Sequence, residues 1–268
     1  MVNLEDKIGL NVQLKDNFRL EFGTDVEFDQ FSTRNFSDLK IVAAEEDLSL
    51  SDQPAYLMYR NLRKSGDLKK IKTAHLRFDI TVIPPGKLGE EFIKTSGHYH
   101  PKKAGTEIAY PELYYVILGQ ATYLNQKVGS SDKIEDVVLS RVKAGEAIIT
   151  PPNYGHVTIN ELDQPIVMAN WVCDDFKSVY GDYEKKRGAI YYLKNQTLTT
   201  KIEKNPRYLE DIKLKELKSA PKILDELSSL AIYNYINKID KLKFLSDPDQ
   251  FVNDLTIKNL FQIVTTHI

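Results

Sequence analysis

Two histidines stand one residue apart in the run GHYH at 97–100, in a chain that has only five histidines. On an extended strand, residues i and i+2 face the same way. His98 and His100 therefore project together, and Tyr99 projects opposite. Two imidazoles at that spacing can reach one metal ion. Equally, one can be hydrogen-bonded in a polar core while the other meets solvent. Further donors decide between these readings, and candidates follow downstream. Glu112 opens a β-rich run and is followed after six residues by Gly119. Farther on come Gly145, Pro151, His156 and Asn160, separated by five, four and three residues. Glu107 competes with Glu112 because it is nearer the histidine pair. It lies in the loop-like stretch KKAGTEIAYP, whereas Glu112 sits on the strand pattern.

The elements that must position these side chains are short and β-rich. LRFDITVIPPG (76–86) alternates and then breaks at Pro-Pro-Gly. EFIKTSGHYH (91–100), ELYYVILGQATYLNQ (112–126), EDVVLSRVKAGEAIITPPNYGH (135–156) and PIVMANWV (165–172) follow, with turn signals between them. Many short strands at close spacing predict an antiparallel sandwich or barrel. The texture changes near residue 195. Beyond it, Leu227, Leu230, Tyr233 and Ile236 recur between charged residues, with Pro206, Pro221 and Pro248 as punctuation. This predicts a barrel with N-terminal strands over 1–195. Over 196–268 it predicts a C-terminal extension of two or three helices, packed on the barrel or on a partner subunit.

Bulk properties narrow the classes. A chain of 268 residues is one large domain, or one domain with an extension. A formal net charge of −2 provides no basic field for nucleic acid. The single cysteine, Cys173, excludes an intrachain disulfide framework and suits a reducing cytoplasm. It reads as a small buried hydrophobe. The N-terminal stretch is acidic and lacks the apolar core of a signal peptide. No apolar run approaches the roughly 20 residues that span a bilayer. The expectation is a soluble, cytoplasmic protein without nucleic-acid or membrane partners.

The pattern HxH, E(X)6G and G(X)5P(X)4H(X)3N resembles the two halves of the cupin metal signature. That resemblance implies a mainly β fold, the double-stranded β-helix or jelly-roll barrel, here with a C-terminal α-helical extension. It also implies that two hairpins bring His98, His100, Glu112 and His156 onto one divalent ion, with positions left open for substrate or water. Such a donor set suits iron, manganese, nickel or zinc. Three features depart from the pattern. The glycine before HxH is displaced to Gly89, Asn153 stands at a glycine position, and eleven residues separate His100 from Glu112. Asparagine visits left-handed backbone conformations, so Asn153 is compatible with the turn.

The phrases DITVIP, GEEF, KTSGHYH and YPELYYVILG are narrower. Over roughly residues 50–190 they resemble the cupin-type (archaeal-type) glucose-6-phosphate isomerases, whose compact members lack the tail. The resemblance places Thr81, Thr95 and Gly97 at the sugar phosphate. Small hydroxyls and backbone N–H groups beside a glycine make an anion-binding concavity without a cluster of lysines. It makes Tyr114 and Tyr180 substrate-contacting, with Tyr59 a third such tyrosine, and Ser178 stands where the family has a histidine. Each has a plain structural alternative. Threonines are good strand residues, and tyrosines pack in cores with satisfied hydroxyls. Lys94, Lys102 and Lys103 could steer a phosphate or simply be solvated. His75 and His267 have no partner at a ligand spacing.

The implied reaction interconverts glucose 6-phosphate and fructose 6-phosphate, in glycolysis and gluconeogenesis, with Glu112 and Tyr114 as catalytic residues. One route moves the C2 proton to C1 through an enediol with Glu112 as base; the other is a metal-assisted hydride shift. The family further implies one divalent ion per subunit, iron first, and a homodimer. Two rivals remain at this point. One is a dioxygenase using the same four donors, and the other a non-catalytic phosphosugar-binding cupin. A third reading makes the tail a partner-binding module.

Overall fold

A computed structural model describes residues 1–129, 133–196 and 199–264. The alternating runs become two sheets whose inner faces meet. The first has six antiparallel strands in the order Ala147–Thr150, Glu112–Leu118, Ile166–Cys173, Leu76–Ile83, Pro54–Arg60, Gln30–Asn35. The second runs Tyr154–Ile159, Gln120–Val128, Ile134–Lys143, Lys215–Ser219, Phe261–Ile263. Aromatic packing joins them: the rings of Tyr114 and Tyr123, one from each sheet, lie 5.2 Å apart. The Tyr123 hydroxyl donates across the gap to Met168 Sδ at 3.3 Å. The result is the curled, mainly β barrel that the strand pattern predicts.

Ile166–Cys173 shows why such strands read as unbroken apolar runs. All eight residues are buried, because both faces of this central strand are covered. One face carries Met168 and Asn170 into the barrel. The other carries Trp171 outward under the C-terminal extension. Trp171 Nε1 donates to the Ile232 carbonyl at 2.9 Å, and its ring stacks with Tyr233 at 6.0 Å and tilts against Phe78 at 4.9 Å. Three large aromatics removed from water there hold the extension to the sheet.

The extension differs in kind from the expected helices. Its first part is strand, at Thr199–Lys204 and Lys215–Ser219, the latter running parallel to Ile134–Lys143. Its second part is mostly 3-10 helix, at Lys222–Leu224, Ile232–Leu242 and Pro248–Gln250, with four-residue α-helices at Lys243–Ser246 and Ile257–Leu260. The physical reason lies in the spacing. Leu227, Leu230, Tyr233 and Ile236 recur every three residues, the period at which 3-10 side chains eclipse. Lys238 then breaks the run with φ −126° and ψ 42°. No helix is long and apolar enough to cross a membrane among the described residues.

Candidate functional site

The GHYH segment is extended but belongs to no long strand. It is clipped to the second motif by a two-way bridge: His98 N–H donates to the His156 carbonyl at 3.1 Å, and His156 N–H returns a bond of 3.0 Å. Gly97 lets the chain entering this segment pass against Tyr183. Its φ is +74°, and a Cβ there would meet the Tyr183 ring at 2.5 Å. Asn153 takes the left-handed conformation (φ +68°), and its Oδ1 accepts from Ala109 N–H at 2.8 Å. Glu112 and Tyr114 come from the six-stranded sheet, in register with Val172 and Asn170.

These elements bring His98, His100, Glu112 and His156 together, with one donor atom of each lying within 4.8 Å of the others. His98 Nε2 and His100 Nε2 face each other at 3.1 Å. Glu112 Oε2 is 3.3 Å from both His100 Nε2 and His156 Nε2. The outer contacts orient the inner ones. His100 Nδ1 donates to the Tyr110 carbonyl at 2.9 Å, which leaves the Nε2 lone pair pointing inward. Asn170 Nδ2 donates to Glu112 Oε1 at 2.7 Å. Glu112 Oε2 itself has no hydrogen-bond partner despite its burial. Lone pairs crowded around one point, and an orphaned carboxylate oxygen among them, are what a divalent ion satisfies. Nitrogen and carboxylate donors in this number fit such an ion.

The electrostatics agree. Burial, reinforced by the neighbouring imidazoles, holds His98 well below the usual histidine range, and burial lowers His156 as well. Both are therefore neutral and able to coordinate at neutral pH. Burial opposes the charge on Glu112, but the facing His100 and His156 imidazoles outweigh it and hold the carboxyl well below its ordinary value. Burial and the Glu112 charge push Tyr114 well above the phenol range, so its hydroxyl stays protonated. That hydroxyl donates to His156 Nε2 at 2.9 Å.

A small cavity of about 50 Å³ opens at the four donors, and Thr81, Thr95, Gly97, Tyr114, Ser178 and Tyr180 also line it. Tyr59 is not brought there. Its hydroxyl accepts from Leu20 N–H at 2.9 Å, and its ring packs among Phe22, Phe28 and Phe31. The two-residue period explains this: Tyr56, Met58 and Arg60 face the cavity, so Tyr59 must face away. Tyr56, Arg60, Arg77 and Asn170 are cavity residues that sequence reasoning missed. The alternation in PAYLMYR could have found the first and second of these.

The remaining candidates fall outside the cluster. Glu107 is exposed and pairs with Lys102. Lys94 is buried rather than solvated, paired with Glu91 and 5.0 Å from the centre of the Tyr192 ring. His75 Nδ1 is 2.9 Å from Asp175 at the surface. His267 lies outside the described residues. Cys173 is buried, and burial pushes its thiol up to about 11.

A family model described as glucose-6-phosphate isomerase (GPI) matches residues 33–209. The glucose-6-phosphate isomerase of Thermococcus onnurineus is 30% identical over 181 residues, covering 65% of this chain and 86% of its own length. That of Thermococcus litoralis is 29% identical over 199 residues, covering 71% and 94%. Among solved structures, oxalate decarboxylase from Bacillus subtilis superposes with a TM-score of 0.33 at 20% identity, over 47% of this chain and 27% of that one. The matched stretch takes in both halves of the donor set and the strands that bring them together, and the chain belongs to the glucose-6-phosphate isomerase family.

Proposed function

We propose that this chain is a metal-dependent aldose–ketose isomerase that interconverts glucose 6-phosphate and fructose 6-phosphate. His98, His100, Glu112 and His156 would hold one divalent ion per subunit. The observation that carries this reading is the orphaned, buried Oε2 of Glu112 among three imidazole nitrogens. An ion held there supplies Lewis-acid stabilisation for charge developing on the sugar's O1 and O2.

The chain's own residues do the rest. In the enediol route Glu112 Oε1, which Asn170 orients, takes the proton from C2 and returns it to C1, while Oε2 is left for the ion. Tyr114, protonated and aimed at His156 Nε2, donates to a sugar oxygen once that nitrogen is engaged. Thr81, Thr95, Gly97 and Tyr180 receive the phosphate. Its countercharge comes from Arg34, whose guanidinium carbon is 5.7 Å from the Tyr180 ring centre, beside the Tyr56 hydroxyl. Tyr56 in turn meets Ser96 Oγ at 3.2 Å. Arg60, Arg63, Arg77, Arg141, Arg187 and Arg207 each pair with a carboxylate; among the described residues Arg19 and Arg34 do not, and Arg19 lies over the Phe31 ring instead.

In this reading the native ion is iron, the chain is a cytoplasmic homodimer, and the reaction belongs to glycolysis and gluconeogenesis. Residues 1–195 form the catalytic unit and 196–268 the extension in this reading. A coupled assay from fructose 6-phosphate to glucose 6-phosphate tests it, run as purified, after EDTA, and after return of Fe²⁺, Mn²⁺, Ni²⁺ or Zn²⁺. Activity should vanish on chelation and return with one or more ions. Tight metal binding without turnover under any of them would instead favour an oxygenase or a binding protein.

A further inference from the structure

The segment 247–257 of the C-terminal extension reaches back over the loops that lead to two of the four donors. Lys103 Nζ donates to Asp247 Oδ1 at 2.6 Å and to Asp249 Oδ1 at 2.7 Å. Those two carboxylates push Lys103 up to about 12. Lys103 sits in the eleven-residue insert between His100 and Glu112. The insert is closed on itself, with Lys103 N–H donating to the Ile108 carbonyl at 2.9 Å and Tyr110 N–H to the Pro101 carbonyl at 3.2 Å. Its last turn presents the Tyr110 carbonyl to His100 Nδ1. Val252, Leu255 and Ile257 share a crevice with Ile108 of the insert and with Pro151 and Asn153, which lead to His156. Asn153 also ties back to the insert through Ala109.

The family match ends at residue 209, so segment 247–257 lies outside it. A long insert is costly to order by itself, and one ion pair near the surface contributes little to global stability. A lysine shared by two carboxylates and backed by apolar contacts can still fix one loop. We propose that Lys103, Asp247 and Asp249 are positioning residues through which the extension locks the 101–110 loop and thereby orients His100. The consequence for metal affinity rests on the metal reading given above; the locking of the loop does not.

The test uses the full chain with K103E, the milder K103M, and the charge swap K103E/D247K/D249K. Amide hydrogen exchange is measured on chelated protein, and Mn²⁺ affinity is measured by titration. In K103E the Ala109 and Tyr110 amides should exchange about tenfold faster, with core amides such as Tyr123 unchanged. Loss of a group that orients a metal ligand weakens binding about 10–100-fold, so one step farther out about 3–10-fold is expected for the Mn²⁺ Kd. The swap should restore both; K103M should show the same changes, smaller. Unchanged exchange at Ala109 and Tyr110 overturns the proposal, as does faster exchange with an unaltered Mn²⁺ Kd. If the wild type binds no Mn²⁺, the metal reading falls, and the exchange result still decides whether the extension holds the loop.

Discussion

Replacing Glu112 by glutamine should reverse the stability order of wild type and variant according to whether metal is present. Without an ion, Glu112 Oε2 is a buried charged oxygen with no donor, 3.3 Å from two imidazole nitrogens. A glutamine amide at that place would donate to those nitrogens while its oxygen keeps the Asn170 bond. Satisfying a buried polar group recovers about 1–3 kcal/mol, so chelated E112Q should unfold at the same or a higher temperature than chelated wild type. With an ion at 100 times its Kd, the wild type gains about 2.7 kcal/mol. For a chain of this size that is about 5–11 °C in Tm. Glutamine removes the only anionic donor. If affinity falls about 1,000-fold, the same ion concentration adds less than about 0.1 kcal/mol to the variant. Thermal unfolding followed by circular dichroism, with EDTA and with added Mn²⁺, reads both halves of the crossing. An E112Q protein that unfolds well below wild type after chelation, or gains as much from Mn²⁺, would refute the reasoning.

The other expectations are simpler. Tyr59→Phe should cost about 1 kcal/mol in urea unfolding through loss of the Leu20 bond, and leave isomerase kinetics unaltered. Tyr56→Phe should raise KM several-fold. Arg34→Gln should raise KM for fructose 6-phosphate about 10–100-fold, because charge-assisted hydrogen bonds contribute about 1.5–3 kcal/mol, with kcat changed little; a loss confined to kcat would contradict a phosphate-binding role. The pH dependence has a definite sign. His98 and His156 lie below the ordinary 6.5 in the fold, so the unfolded chain takes up protons first as pH falls. Metal-free stability should therefore decline as pH drops below about 6.5. Urea midpoints that stay flat from pH 8 to 5 would rule this out.

The chemistry was more legible in the sequence than the scaffold. HxH with Glu112 and His156 could be read because ligand spacing is a local property of chain direction, and strand alternation assigns each side chain to a face. The same alternation was left unused at PAYLMYR, where it places Tyr56 on the cavity side and Tyr59 on the other. Lys94 shows a different limit. Nothing in KTSG signals that its ammonium is buried against Glu91, because the covering residues come from elsewhere in the chain. Arg34 and Arg77 were invisible for the same reason. Their meeting with the site depends on the order of strands in the sheet, which no local pattern states. In the extension, a three-residue spacing was read as α-helical, although it fits the 3-10 period better.

Cys173 offers a practical consequence. It is the sole thiol of the chain, buried at the end of the strand that also carries Asn170, and paired in register with Leu76. A thiol held near 11 is almost wholly protonated at neutral pH and inert to alkylating reagents while the sheet is closed. Modification of native protein would therefore require that sheet to part. The rate at which an iodoacetamide probe labels the unmutated chain becomes a clock for the opening of the scaffold that presents Glu112. Comparing that clock with and without bound ligand would measure how firmly occupancy of the cavity clamps the barrel shut.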